Sequence, residues 1–214
     1  MKATAKRRTG LPVEFAQAPM RTVRPADAAT VYAHPGTQMV RLERLGLLHK
    51  VAVGYYVVVP QERIGTDWRP TIEAAAAGVA TAALGAGRAV LMGISAGRLH
   101  NVVPRALGIA IVAVAGDRRD IELRDRDGLV HFVQRDTDVL DAELMTTDLG
   151  QCLVTTAEQT VLDLAHRPNL GHVVDEAHAA IVALLPRCSE ETLERLAGEQ
   201  RLRAALSRVR RAAR

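Results

Sequence analysis

Four polar side chains in one short stretch have the types and spacing to read duplex DNA. Thr37, Gln38, Arg41 and Arg44 lie three or four residues apart, so on a helix they share a face. Arginine matches the two acceptors of guanine, and glutamine makes the equivalent pair with adenine. Met39, Leu42 and Leu45 are the expected apolar side of that helix. Glu43 is turned away from the basic stripe by the helical step of about 100° per residue. Arg24, Lys50 and Tyr55 flank the stretch and join it as candidate DNA contacts. Lys6, Arg7 and Arg8 form a basic arm suited to backbone or minor-groove contact.

Other constellations invite chemistry and carry it less well. Asp120 and Glu122, two apart on an extended segment, share a side and could hold Mg²⁺ as a DNA nuclease requires. Arg124 on that same side cannot serve as a base, and an edge strand of alternating charge explains the run equally well. The string Gly93-Ile94-Ser95-Ala96-Gly97 fits the letters of a hydrolase elbow. Its candidate base His100 sits five residues on, pointing away from Ser95, with Asp163 as a distant third member. Ser95 reads better as a helix N-cap. His131, His166, His172 and His178 are scattered, and Cys152 and Cys188 have no second cysteine or histidine at metal-ligand spacing. The expectation is therefore no catalytic residue, no metal and no cofactor.

The DNA-reading stretch needs elements to hold it. A short helix is expected over residues 11–18 and a second one from Arg24, with Pro25 in its first turn. Ala33-His34-Pro35-Gly36 is a turn on composition. Thr37 is the expected N-cap of the helix over residues 38–47. Two strands, residues 49–53 and 55–59, flank Gly54, and Tyr55-Tyr56-Val57-Val58-Val59 has high strand propensity. Helix, helix, turn, helix and hairpin is the layout of a winged helix-turn-helix, occupying residues 1–63. Behind it, residues 64–214 form a larger α/β domain with a mixed sheet, so the fold class is α+β. Helices are expected at residues 71–84, 96–101, 156–165 and 170–185, with a long basic one at residues 189–211. Strands are expected at residues 88–94, 108–115, 120–124, 129–134 and 153–155.

Charge divides the chain the same way. Residues 1–63 carry ten basic and four acidic side chains, residues 64–200 carry twelve and twenty, and residues 201–214 carry six arginines and no acid. Basic ends around an acidic middle suit a polyanion partner at one or both ends. Aromatic residues are 3% of the chain, too few for stacking on single strands. Mean hydropathy is +0.03, and no apolar run approaches the roughly 18 residues of a membrane span. The basic start lacks an apolar stretch behind it, so no secretory signal is read. With two cysteines and no sign of export, a cytoplasmic protein with reduced thiols is expected.

Three strings together resemble the abortive-infection AbiE antitoxin family, and its mycobacterial members most. They are Leu45-Gly46-Leu47-Leu48 with Gly54-Tyr55-Tyr56-Val57, Ile94-Ser95-Ala96 with Leu99-His100, and Thr155-Thr156-Ala157-Glu158-Gln159-Thr160-Val161-Leu162-Asp163-Leu164. The resemblance spans roughly residues 20–190. It implies a type IV antitoxin whose winged helix represses its own operon at inverted repeats. It also implies a C-terminal domain that counters a nucleotidyltransferase toxin without a stable complex. DNA contact carries over onto residues 37–44 and the wing. The arginines of residues 201–211 are a candidate surface for antagonism on charge alone. A Mg-dependent nuclease and a winged-helix protein-interaction scaffold are the alternatives.

Overall fold

The computed structural model describes residues 10–212, so the candidates Lys6, Arg7 and Arg8 lie outside the described residues. The described residues form a mixed α+β fold with two sheets. After α1 (Val13–Ala16), the small sheet is built from β1 (Thr22–Val23), β2 (Leu48–Ala52) and β3 (Tyr55–Val58), with α2 (Pro35–Arg44) between β1 and β2. Its antiparallel order is β1-β3-β2. The large sheet uses β4 (Ala89–Leu91), β5 (Ile109–Val114), β6 (Ile121–Glu122), β7 (Leu129–Gln134), β8 (Ala142–Thr147) and β9 (Gly150–Thr155). Its order is β6-β7-β5-β4-β9-β8, with β4–β9 and β5–β7 parallel and the other pairs antiparallel.

Helices cover both faces of the large sheet, which is why β5 reads as an unbroken apolar run. α3 (Ile72–Leu84) lies on one face, where its alanines pack with Leu91, Val112 and Val130. On the other face lie α4 (Gly93–Leu99), α5 (Ala157–His166), α6 (Val174–Leu184), α7 (Glu190–Glu199) and α8 (Arg203–Ala212), which bury Val90, Ile111, Ala113 and Val133.

The small sheet is buried on both faces too. Successive side chains of a strand alternate, and in β3 Tyr56 and Val58 enter a core with Phe15, Met39, Leu42 and Leu48. Val57, between them, enters the α3 core with Val51, Ala52 and Ile72. The Tyr-Val run is therefore the middle of a sandwich. At the outer edge of β2, Ala52 bridges Leu123, and the Arg124 N–H donates to the Val51 carbonyl at 2.8 Å. This covers an edge that would otherwise present unpaired backbone groups.

Several local expectations need correction. Residues 189–211 are two helices, with Gln200, Arg201 and Leu202 turning the chain between them. Arg201 takes φ +57, its N–H reaches Gly198 O, and the Leu202 N–H reaches Ala197 O at 2.8 Å. This is the double hydrogen bond of a left-handed helix stop, and it drives Leu202 into the core. The same stop ends α2: Gly46 takes φ +70, with Gly46 N–H to Glu43 O and Leu47 N–H to Leu42 O. Leu45 is thereby left 50% exposed instead of in the core, and Leu48 is buried in its stead. α2 begins at Pro35 with His34 before it, so Thr37 lies inside the first turn and is not the N-cap. The helix expected from Arg24 is a short 3-10 turn, Asp27–Thr30. Ser95 lies within α4, where its Oγ accepts the Ile111 N–H at 2.8 Å.

Candidate nucleic-acid interface

α2 presents one polar face because its opposite face is fixed. Met39 and Leu42 are fully buried against β2 and β3, and this places Thr37, Arg41 and Arg44 outward at positions i, i+4 and i+7. Gln38 is half-buried at the margin of this stripe, and Val40 is exposed beside it. Arg44 pairs with no carboxylate among the described residues.

Lys50 belongs to the same side of the molecule. It lies opposite Tyr56 in the β2–β3 register, and its ammonium sits 5.7 Å from the centre of the Tyr56 ring. Since Tyr56 faces the core shared with α2, Lys50 emerges on the α2 side of the hairpin. Tyr55, one residue earlier, turns to the other face and packs against the α3 core. Arg24 is committed internally. Its backbone N–H and guanidinium all hydrogen-bond to Asp27, with Nη2 at 3.0 Å from Oδ1. That carboxylate holds the Arg24 pKa above its ordinary value. Burial disfavours the charged Asp27, but its hydrogen bonds from Arg24 prevail and hold its pKa below the usual carboxylate range. The structure thus brings Thr37, Arg41, Arg44 and Lys50 to one side, with Gln38 at its rim, and leaves Arg24 neutralised and Tyr55 turned inward.

A second group lines the outer edge of β2. His49 Nε2 lies 2.8 Å from Asp125 Oδ2, and its ring meets Trp68 edge-on at 6.4 Å. Arg126 also grips Asp125, at 2.8 Å, while donating to the Pro70 carbonyl. Burial works against ionisation of Asp125, yet hydrogen bonds from His49 and Arg126 hold its pKa well below the ordinary range. The hairpin is thereby bound to the β6–β7 turn. Beside it runs a cleft of about 370 Å³ lined by Lys50, Arg63, Trp68 and Arg124 among others. No local sequence pattern joins Arg63 to Arg124, because the fold alone brings the two together.

The remaining constellations are structural. Asp120 accepts from the Phe132 N–H at 3.1 Å and lies 2.8 Å from His131 Nδ1, fastening the two-residue edge strand β6 to β7. Glu122 is exposed beside it, and no group of three or more metal-ligating side chains occurs among the described residues. His100 Nε2 bonds to the Thr155 carbonyl at 2.8 Å, and Asp163 takes Arg135 and Gln159. Ser95, His100 and Asp163 therefore do not form a triad. Burial pushes the thiols of Cys152 and Cys188 up to about 11 and about 12, so both stay protonated and unreactive near neutrality.

The Thr155–Leu164 string earns its residue types within the core. Thr156 caps α5 through the Gln159 N–H and donates to Asp141 at 2.7 Å. Thr155 and Thr160 share a buried hydroxyl contact at 2.7 Å. Gln159 and Asp163 join Arg135 and Gln200 in one buried network.

Among solved structures, the chain is similar to the RV2827C protein from Mycobacterium tuberculosis. The TM-score is 0.55 at 18% identity, over 87% of this chain and 69% of that one. This likeness is one of fold. No family model matches the chain, and no curated protein matches it. No helix among the described residues is long and apolar enough to cross a membrane.

Proposed function

We propose that the α2–hairpin unit is a winged helix-turn-helix that binds duplex DNA, with α2 in the major groove and the β2–β3 hairpin as the wing. The observation that carries this reading is the outward stripe of Thr37, Arg41 and Arg44, joined on the same side by Lys50. In such motifs the second helix meets base edges with its exposed side chains. Arginine and glutamine supply base-specific contacts, and lysine supplies attraction to phosphate.

The resemblance to AbiE antitoxins extends the proposal. The protein represses its own operon at promoter inverted repeats, and it antagonises a nucleotidyltransferase toxin without catalysis of its own. Two experiments divide these claims. Gel-shift titration of the full chain against its own upstream DNA and a scrambled duplex is expected to show tighter binding to the former. Equal affinity for both would remove the operator-reading role. Co-expression with an adjacent nucleotidyltransferase gene is expected to restore growth, and failure to do so would remove the antitoxin role while leaving DNA binding intact.

A further inference from the structure

We propose that Lys50, Arg63 and Arg124 hold a DNA backbone phosphate in the cleft along the outer edge of β2, so that the large-sheet region contributes directly to DNA binding. The proposal rests on the DNA-binding reading of α2 and adds to it a contact supplied by a distant part of the chain.

Three elements meet at this cleft. β2 brings Lys50, the segment after the hairpin brings Arg63, and the β6–β7 turn brings Arg124. The launching point of Arg124 is fixed by backbone, because its own N–H donates to Val51 O at 2.8 Å and the preceding Leu123 bridges Ala52. Its distance from the wing is therefore set by sheet geometry and does not depend on a flexible loop.

The cations of the cleft are available. Lys50, Arg63 and Arg124 pair with no carboxylate among the described residues, and Arg63 and Arg124 are exposed. Neighbouring arginines are committed elsewhere: Arg126 grips Asp125 and Pro70, and Arg69 donates to the Asp125 carbonyl at 3.1 Å. Of the two carboxylates at the cleft, Asp125 is already occupied by His49 and Arg126. Glu43 remains against three cations, so the cleft is net positive and suits an anion. Lys50 connects the two regions, since it emerges on the α2 side of the hairpin and also lines the cleft. A duplex seated on α2 would thus carry its backbone toward Arg63 and Arg124. Contacts of this kind fix register and orientation and carry no sequence information.

The test is the salt dependence of binding of the full chain to labelled duplexes, followed by fluorescence anisotropy. Each phosphate neutralised adds about −0.9 to the slope of log affinity against log salt. Arg63→Ala and Arg124→Ala are each expected to flatten the slope by about 1 and to weaken operator and scrambled duplexes by the same factor. Arg124→Lys is expected to keep the slope. Arg211→Ala, a distant exposed arginine, is expected to change nothing. A wild-type slope retained in Arg124→Ala, or an equal change in Arg211→Ala, would overturn the proposal while leaving α2 as a DNA reader. Absence of salt-sensitive binding by the wild-type chain would instead remove the DNA reading, and this contact with it.

Discussion

Both ends of the chain are rich in arginine, yet the structure treats them differently. In α8, Arg210 turns back onto Glu190 and Glu194 of α7, and Arg208 donates to the Ala165 carbonyl at the end of α5 at 2.9 Å. In α2 and the adjoining cleft, Arg44, Lys50, Arg63 and Arg124 face no carboxylate partner among the described residues. The two regions look alike in a charge count and differ in part in how their charge is used, since Arg203 and Arg211 of α8 are exposed while Arg208 and Arg210 are bound within the fold. Basic residues suit a polyanion surface where the fold leaves them uncompensated, and with Arg208 and Arg210 tied up within the fold the C-terminal block offers less charge to a partner than its density suggests.

Three substitutions would break or sharpen that contrast. The largest effect is expected in the C-terminal layer, where charge is turned inward. Asp163 is buried, its Oδ1 accepts from Arg135 and Gln159, and its Oδ2 has no partner among the described residues. Burial pushes its pKa up to about 6 against the attraction of Arg135. A raised carboxyl pKa favours the protonated folded form, so its contribution to stability is fully present below the unfolded value near 4. It is lost as pH rises through about 6. The gap corresponds to about 3 kcal/mol. Denaturant unfolding across this window is expected to show that decline, and Asp163→Asn to flatten it. An unchanged pH profile in the variant would place the titrating group elsewhere.

The next effect concerns the seam between the regions. A Cβ on Gly78 of α3 would lie 2.3 Å from the Thr22 hydroxyl of β1, and that hydroxyl is held by the Met20 carbonyl at 2.8 Å. Gly78→Ala is expected to cost about 1–3 kcal/mol by overpacking. A stabilised variant in thermal melts would mean that β1 is not seated firmly on α3. The smallest effect is a gain. Arg201 holds a left-handed conformation that penalises any side chain, and Arg201→Gly is expected to stabilise by about 0.5–1 kcal/mol. A loss of stability would show that the Arg201 side chain supports the α7–α8 turn.

Much of this architecture is visible in local patterns. The β2–β3 hairpin around Gly54, the Ala-rich α3, the apolar β5 and the Thr156 cap of α5 all follow from propensity and spacing. Other features depart from local pattern, each for its own physical reason. The stops after Gly46, Asn101 and Arg201 use the same pair of backbone bonds, but only the glycine announces one, so the last two helices read as a single helix. β8 lacks a strong strand pattern because it is an edge strand whose Glu143 and Thr146 face solvent. Thr37 resembles a cap by type, but Pro35 can occupy the first turn without a backbone N–H, and the helix starts there. The outward face of α2 was legible from the 3.6-residue period, whereas Arg63 and Arg124 meet at the cleft only through tertiary pairing of residues 51 and 124.

The central claim is that the outward polar face of α2, and not the arginine density of α8, binds DNA. It is tested by duplex affinity at one fixed salt concentration for two double variants that each remove two positive charges. Arg41→Ala with Arg44→Ala is expected to lose about 1–3 kcal/mol per base-reading arginine, and Arg210→Ala with Arg211→Ala to bind as the wild type does. Equal losses in the two variants, or a loss confined to the second, would contradict the account.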